Sequence, residues 1–173
     1  MCGIVGGIAE RSITNILIEG LKRLEYRGYD SAGLALINNS QVLRERRVGK
    51  VTNLEQAVNE SQISGSLGIA HTRWATHGKP TENNAHPHIS ENVAVVHNGI
   101  IENYQELKDD LEALGYVFTS QTDTEVVAHL INDALKSTPS LMEAVRQVVP
   151  QLKGAYALGI VHTDHPDELI TVR

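Results

Sequence analysis

Cys2 is the one cysteine in a chain of 173 residues, and it directly follows Met1. Once Met1 is removed, which a small side chain at position 2 permits, the thiol sits beside a free α-amine in the same residue. A thiol has a pKa of roughly 8.5 and an α-amine one of roughly 7.7–8.0, so the amine can take the thiol proton directly or through one water. It can later return that proton to a leaving group, and no histidine base is required. The plainer alternative is a small apolar residue at the start of a buried strand.

Attack of a thiolate on an amide produces a tetrahedral oxyanion that needs fixed donors. The stretch VVHNGIIENY offers the side-chain amide of Asn98 and the backbone N–H of Gly99. The same Asn-Gly pair after a strand is also an ordinary turn signal. In HTRWATHG, Arg73 ends a strand and enters a long loop, where a guanidinium can hold a carboxylate through two parallel hydrogen bonds. Trp74 beside it could cover such a site. A surface ion pair for Arg73 and a core plug for Trp74 are the plain readings. Asp123, in QTDTE, precedes a helical pattern. It either complements the helix dipole or binds an ammonium group. Arg73 and Asp123 together could bracket an α-amino acid by its two charged ends.

The eight histidines include His71, His77, His86, His88 and His97, and HPH invites a metal reading. Neither His-Glu-x-x-His nor Cys-x-x-Cys occurs, so histidines that hydrogen-bond or line a substrate site fit better than a metal centre.

The surrounding elements must position these groups. Apolar, glycine-rich residues 2–9 predict a buried strand. Ile13, Ile16, Leu17, Leu21 and Leu24 predict a helix ending near Leu24. Glu25 to Gly33 reads as a loop, and 33–37 with 41–47 as a hairpin. A short helix is expected near 54–58, and strands at 67–71 and 92–97. The polar stretch between those strands lacks periodicity and reads as a functional loop. Asn103-x-x-Glu106 and Thr122-x-x-Glu125 resemble capping boxes opening two helices, and a third is expected from Thr138 to about Leu152. Strands at 155–162 and 168–172 follow. Strands, then helices, then strands indicate an α+β domain rather than alternating βαβ units.

A net charge of −6 argues against a nucleic-acid partner. The run Arg44-Glu45-Arg46-Arg47 reads as a solvated strand face. No apolar run approaches the roughly 20 residues that cross a bilayer, so no membrane association is expected. A single cysteine and the lack of an export signal point to the cytoplasm.

MCGIVG, EYRGYDSAG, HTRWATHG, HNGIIENY and TDTEV, in this order over essentially the whole chain, resemble the glutaminase domain of class II glutamine amidotransferases, which are N-terminal-nucleophile hydrolases. RGYDSAG with HTRWATHG is more similar to the hexosamine-forming branch than to the purine-forming amidophosphoribosyltransferases or the asparagine synthetases. The resemblance implies a four-layer αββα sandwich. It implies hydrolysis of L-glutamine to glutamate and ammonia, as the ammonia-supplying half of hexosamine-phosphate synthesis from fructose-6-phosphate. Cys2 is then the nucleophile, and Asn98 and Gly99 the oxyanion hole. Arg73 holds the glutamine α-carboxylate and Asp123 the α-amino group. Thr76 and His77 lie in a loop closing over glutamine, Trp74 stands at the gate towards a partner domain, and Arg27 assists the nucleophile's surroundings. No cofactor and no metal are implied.

The family's domain is longer and continues into a sugar-isomerase domain. Residues 1–173 are therefore expected to form one amidotransferase domain, incomplete at its C-terminus and without the isomerase part. A homodimer is compatible with the resemblance. Two other readings stand beside it: an inactive or regulatory, partner-binding fragment that keeps the fold, and an amidotransferase with a different acceptor.

Overall fold

The computed structural model describes residues 2–74 and 79–173, with Arg27 described by its backbone alone. Two four-stranded antiparallel sheets lie at its centre. The first has the order β1 (Gly3–Ile8), β4 (Leu67–Arg73), β2 (Ser31–Asn38), β3 (Gln41–Val48). The second has the order β5 (His88–Ser90), β6 (Val93–Ile101), β7 (Gly154–His162), β8 (Ile170–Val172).

Three apolar clusters define four layers. Helices α1 (Thr14–Leu24) and α2 (Val51–Ser61) bury Leu17, Ile18, Leu21, Leu54 and Val58 against Ala32, Leu34, Leu36 and Ala70 of the first sheet. Between the sheets, Ala35, Ile37, Leu67 and Ile69 meet Ala94, Val96 and Val161. On the far side α3 (Tyr104–Ala113), α4 (Glu125–Leu135) and α5 (Leu141–Val148) cover the second sheet with Leu107, Leu111, Val127, Ile131, Leu141 and Val145. The expected αββα sandwich is present. Burying each large aliphatic side chain contributes about 1.5–3 kcal/mol. A sheet covered on both faces also explains why β2 and β4 are buried almost from end to end.

Several elements differ from expectation. β2 begins at Ser31, inside the expected loop, because Ser31 pairs with both Val48 and Arg73. β6 runs to Ile101, so Asn98 and Gly99 are paired strand residues, opposite Ala157 and Tyr156, rather than a turn. The long polar segment contains the short strand β5, which pairs with β6.

Neither expected capping box forms. Asn103 occupies the cap position of α3, but its amide donates to Gln151 O at 2.9 Å and accepts from Lys153 N at 2.9 Å. α4 starts only at Glu125, whose carboxylate folds back onto Thr119 and Ser120. The cap that does form is Ser140 Oγ, accepting from Glu143 N at the start of α5.

The arginine run is not simply a solvated face. Arg46 Nη1 donates to Asn83 O at 3.1 Å and to Ala85 O at 3.0 Å, and Arg44 Nη1 reaches Pro87 O at 3.4 Å. Gly33 permits this close approach: a Cβ there would lie 2.2 Å from His86 O. The histidine-bearing segment is thereby laid onto the first sheet.

Candidate active site

The two sheets meet at a cavity of about 590 Å³, within the usual range for small-molecule sites. Cys2, Arg73, Trp74, Asn98, Gly99 and Asp123 all line it. Each comes from a different part of the chain. Cys2 precedes β1, Arg73 and Trp74 close β4, Asn98 and Gly99 lie in β6, and Asp123 stands two residues before α4.

Cys2 is half-buried and receives the Trp74 N–H at Sγ, 3.1 Å away. It is not a core residue. Asn98 Nδ2 donates to Cys2 O at 3.3 Å, which sets the amide beside the backbone of Cys2. Gly99 has φ 121°, a backbone region that disfavours any side chain, and a Cβ there would lie 2.1 Å from Ala155 O.

Arg73 is buried rather than placed in a surface ion pair. Its Nη1 lies 3.7 Å from Asp30 Oδ1 and donates to Lys79 O at 3.4 Å. Trp74 is no core plug. It is 54% exposed and leans on Gly28, where a Cβ would meet the indole at 2.9 Å. Asp123 is buried and does not serve the helix dipole through α4 amides. Its Oδ2 accepts from Ile101 N at 2.8 Å on β6, and its Oδ1 lies 4.0 Å from His97 Nδ1.

Arg27 closes a 3-10 turn, Glu25–Arg27, and its side chain lies outside the described residues. Thr76 and His77 also lie outside them.

Behind the cavity is a buried polar layer that sequence reasoning reached only in part. Thr124 Oγ1 lies 2.8 Å from His86 Nε2 and 2.9 Å from His97 Nδ1. Thr122 Oγ1 lies 3.0 Å from His88 Nε2. The rings of His71 and His86 lie against each other at a 37° tilt, with centroids 4.3 Å apart. Burial pushes His71 and His88 down to about 3 and His86 well below its ordinary value. These rings are therefore neutral at pH 7, forming a polar wall without charge. Thr122 and Thr124 were hidden by reading TDTE as a helix cap; two hydroxyls where a cap uses one was the available signal. Among the described residues, no group of three or more His, Cys, Asp or Glu is placed to hold a metal ion.

This geometry has known counterparts. Residues 71–173 match the family described as glutamine amidotransferase domain. The whole chain is 83% identical to part of the glutamine–fructose-6-phosphate aminotransferase (isomerizing) of Acinetobacter baylyi, covering 28% of that protein. It is 63% identical to the enzyme of the same name from Pseudomonas putida, covering 29%. The chain thus spans less than a third of the length of these relatives. Among solved structures, glutamine phosphoribosylpyrophosphate amidotransferase from B. subtilis superposes with a TM-score of 0.74 at 31% identity, over 94% of this chain and 35% of that one. With a family match over more than half its length, and an αββα sandwich whose sheets meet at Cys2, this chain belongs to the glutamine amidotransferases.

Proposed function

We propose that this chain hydrolyses L-glutamine to glutamate and ammonia, and that it is the ammonia-supplying portion of a longer enzyme that makes hexosamine phosphate from fructose-6-phosphate. The sugar chemistry belongs to a sugar-isomerase domain outside these residues. The observation that carries the reading is the convergence of one thiol, one amide and two opposite charges on a single cavity.

In this reading Met1 is removed and the Cys2 α-amine takes the thiol proton. Sγ attacks the glutamine carboxamide carbon. The oxyanion receives hydrogen bonds from Asn98 Nδ2 and the Gly99 N–H, each such donor being worth about 2.7–4 kcal/mol in the transition state. The amine returns its proton to nitrogen and ammonia leaves. Water, deprotonated by the same amine, then attacks the γ-glutamyl thioester, and glutamate departs with the thiol restored. Arg73 holds the α-carboxylate and Asp123 the α-ammonium group, so the side chain of glutamine extends towards Sγ. Trp74 stands at the gate towards the sugar-isomerase domain, Thr76 and His77 serve substrate binding, and Arg27 supports the nucleophile.

The single cysteine and the net charge of −6 suit a cytoplasmic enzyme acting on a small polar substrate. Among the described residues no helix is long and apolar enough to cross a membrane.

Intact mass spectrometry with 6-diazo-5-oxonorleucine tests the reading. Loss of Met1 followed by one adduct on Cys2, together with glutamate release from glutamine, is expected. Retained Met1, or a reagent that labels nothing, contradicts it and leaves a non-catalytic fragment of the same fold.

A further inference from the structure

An oxyanion donor contributes only if it already points at the developing charge. Asparagine is a poor choice unless its amide is prevented from turning over, because its oxygen and nitrogen ends have nearly the same shape. Asn98 Oδ1 lies 2.8 Å from His71 Nε2, on the other sheet. We propose that His71 is the positioning residue that sets the sense of the Asn98 amide, and thereby aims Nδ2 at the oxyanion formed on Cys2. The proposal rests on the oxyanion role of Asn98.

Three observations carry it. The contact is selective, since a ring N–H donates to an amide oxygen and finds no acceptor in an NH₂ group. His71 is also held firmly. It lies on β4, paired with Ile4 of β1 on one side and Gly33 of β2 on the other, is 1% exposed, and has its ring against that of His86. Finally, the amide orientation that His71 enforces is the useful one. One Nδ2 hydrogen goes to Cys2 O at 3.3 Å, which leaves the second for the oxyanion in the cavity that Asn98 lines. Burial keeps the ring neutral down to about pH 3, and Nδ1 has no hydrogen-bond partner, so the single ring proton is placed at Nε2, where Asn98 Oδ1 can accept it.

The test compares glutamine hydrolysis by the wild type, His71→Leu, His71→Gln, Asn98→Ala and the double variant His71→Leu/Asn98→Ala. Glutamate γ-semialdehyde serves as a probe whose thiohemiacetal oxygen occupies the oxyanion position. His71→Leu should lower kcat about 10- to 100-fold, below the 10²–10³ of deleting a donor outright. KM should stay within about twofold. Semialdehyde affinity should fall in parallel with kcat, while binding of L-glutamate, which forms no adduct, stays unchanged. In the Asn98→Ala background the His71 substitution should cost almost nothing further. His71→Gln, which keeps an N–H donor, should recover part of kcat.

Equal losses in both backgrounds, or a KM effect as large as the kcat effect, overturn the proposal. Full turnover by Asn98→Ala instead removes the oxyanion reading itself. If His71→Leu does not fold, ¹⁵N spectra of the wild-type histidines decide. A proton on His71 Nε2 is required, and a proton on Nδ1 alone overturns the assignment.

Discussion

Glu125 gathers both donors of Ser120, the backbone N–H at 2.7 Å and the hydroxyl at 2.7 Å. It also takes the Thr119 N–H at 3.0 Å and the Thr119 hydroxyl at 2.8 Å. Burial alone would raise its pKa, but the bonds from Ser120 and Thr119 hold it below the ordinary carboxylate value. The residue opens α4, yet its side chain works backwards along the chain, fixing the segment that delivers Asp123.

Replacing Glu125 by alanine should therefore strand several buried donors. The expected cost is about 2–4 kcal/mol of stability, seen as a lower urea midpoint. The glutamine KM should rise as well, because Asp123 loses its support. Glu125→Gln keeps one acceptor and should cost less. Unchanged unfolding of the alanine variant would show that these bonds contribute nothing net.

Acidification should destabilise the fold well before ordinary carboxylates titrate. Unfolded histidines take up protons near pH 6.5, while folded His71 and His88 do so only near 3 and His86 well below its ordinary value. Between those values the unfolded chain binds more protons, so stability is full above about pH 6.5 and declines below it. Glu125 adds a loss of the same sign below about pH 4.5, since its folded value is depressed. Denaturant titrations from pH 7.5 to 4.5 should give a falling free energy, by about 1.4 kcal/mol per pH unit for each proton taken up. A flat profile would mean that the rings are already charged or solvated in the native protein.

Arg46→Met should loosen the segment bearing His86. The guanidinium, held down to about 10 chiefly by burial, remains charged at neutral pH and clamps two carbonyls. Losing hydrogen bonds to a charged group costs about 1.5–3 kcal/mol. Thermal melting should register that loss, and turnover should decline with it. A variant as stable and active as the wild type would return the arginine run to a surface role.

Asp123→Asn preserves an oxygen for the Ile101 N–H and removes only charge. If the carboxylate binds the substrate ammonium, KM for glutamine should rise roughly 10- to 150-fold, corresponding to about 1.5–3 kcal/mol, with a smaller change in kcat. Glutamine titrations of both proteins measure this directly. An unchanged KM takes Asp123 out of substrate binding.

The helices and most strands were legible because their apolar periodicity is strong, as in Ile13, Leu17 and Leu21 of α1. The misread positions share one cause. Asn98-Gly99, Asn103, Thr122 and the Arg44–Arg47 run all carry local signals for turns, caps or solvent, and tertiary partners claim those groups instead. Cys2, Arg73 and Asp123 could be picked out as chemistry from type and position. Their assembly around one cavity could not, because it depends on how two sheets face each other. The histidine layer escaped for a related reason: spacing along the chain gives no hint that Thr124 bridges two imidazoles.

The aliphatic seam joining the sheets has a consequence for how this protein fails. Cys2 adjoins one sheet and Asn98 and Gly99 lie in the other, with Ile69 and Val96 among the residues between the sheets. A slip of about 1 Å between catalytic groups can cost about a hundredfold in rate. Turnover is therefore a gauge of the seam's closure, far finer than any measure of secondary structure. Mild denaturant or heat should silence the enzyme while both sheets are still intact, as two well-formed halves that no longer meet.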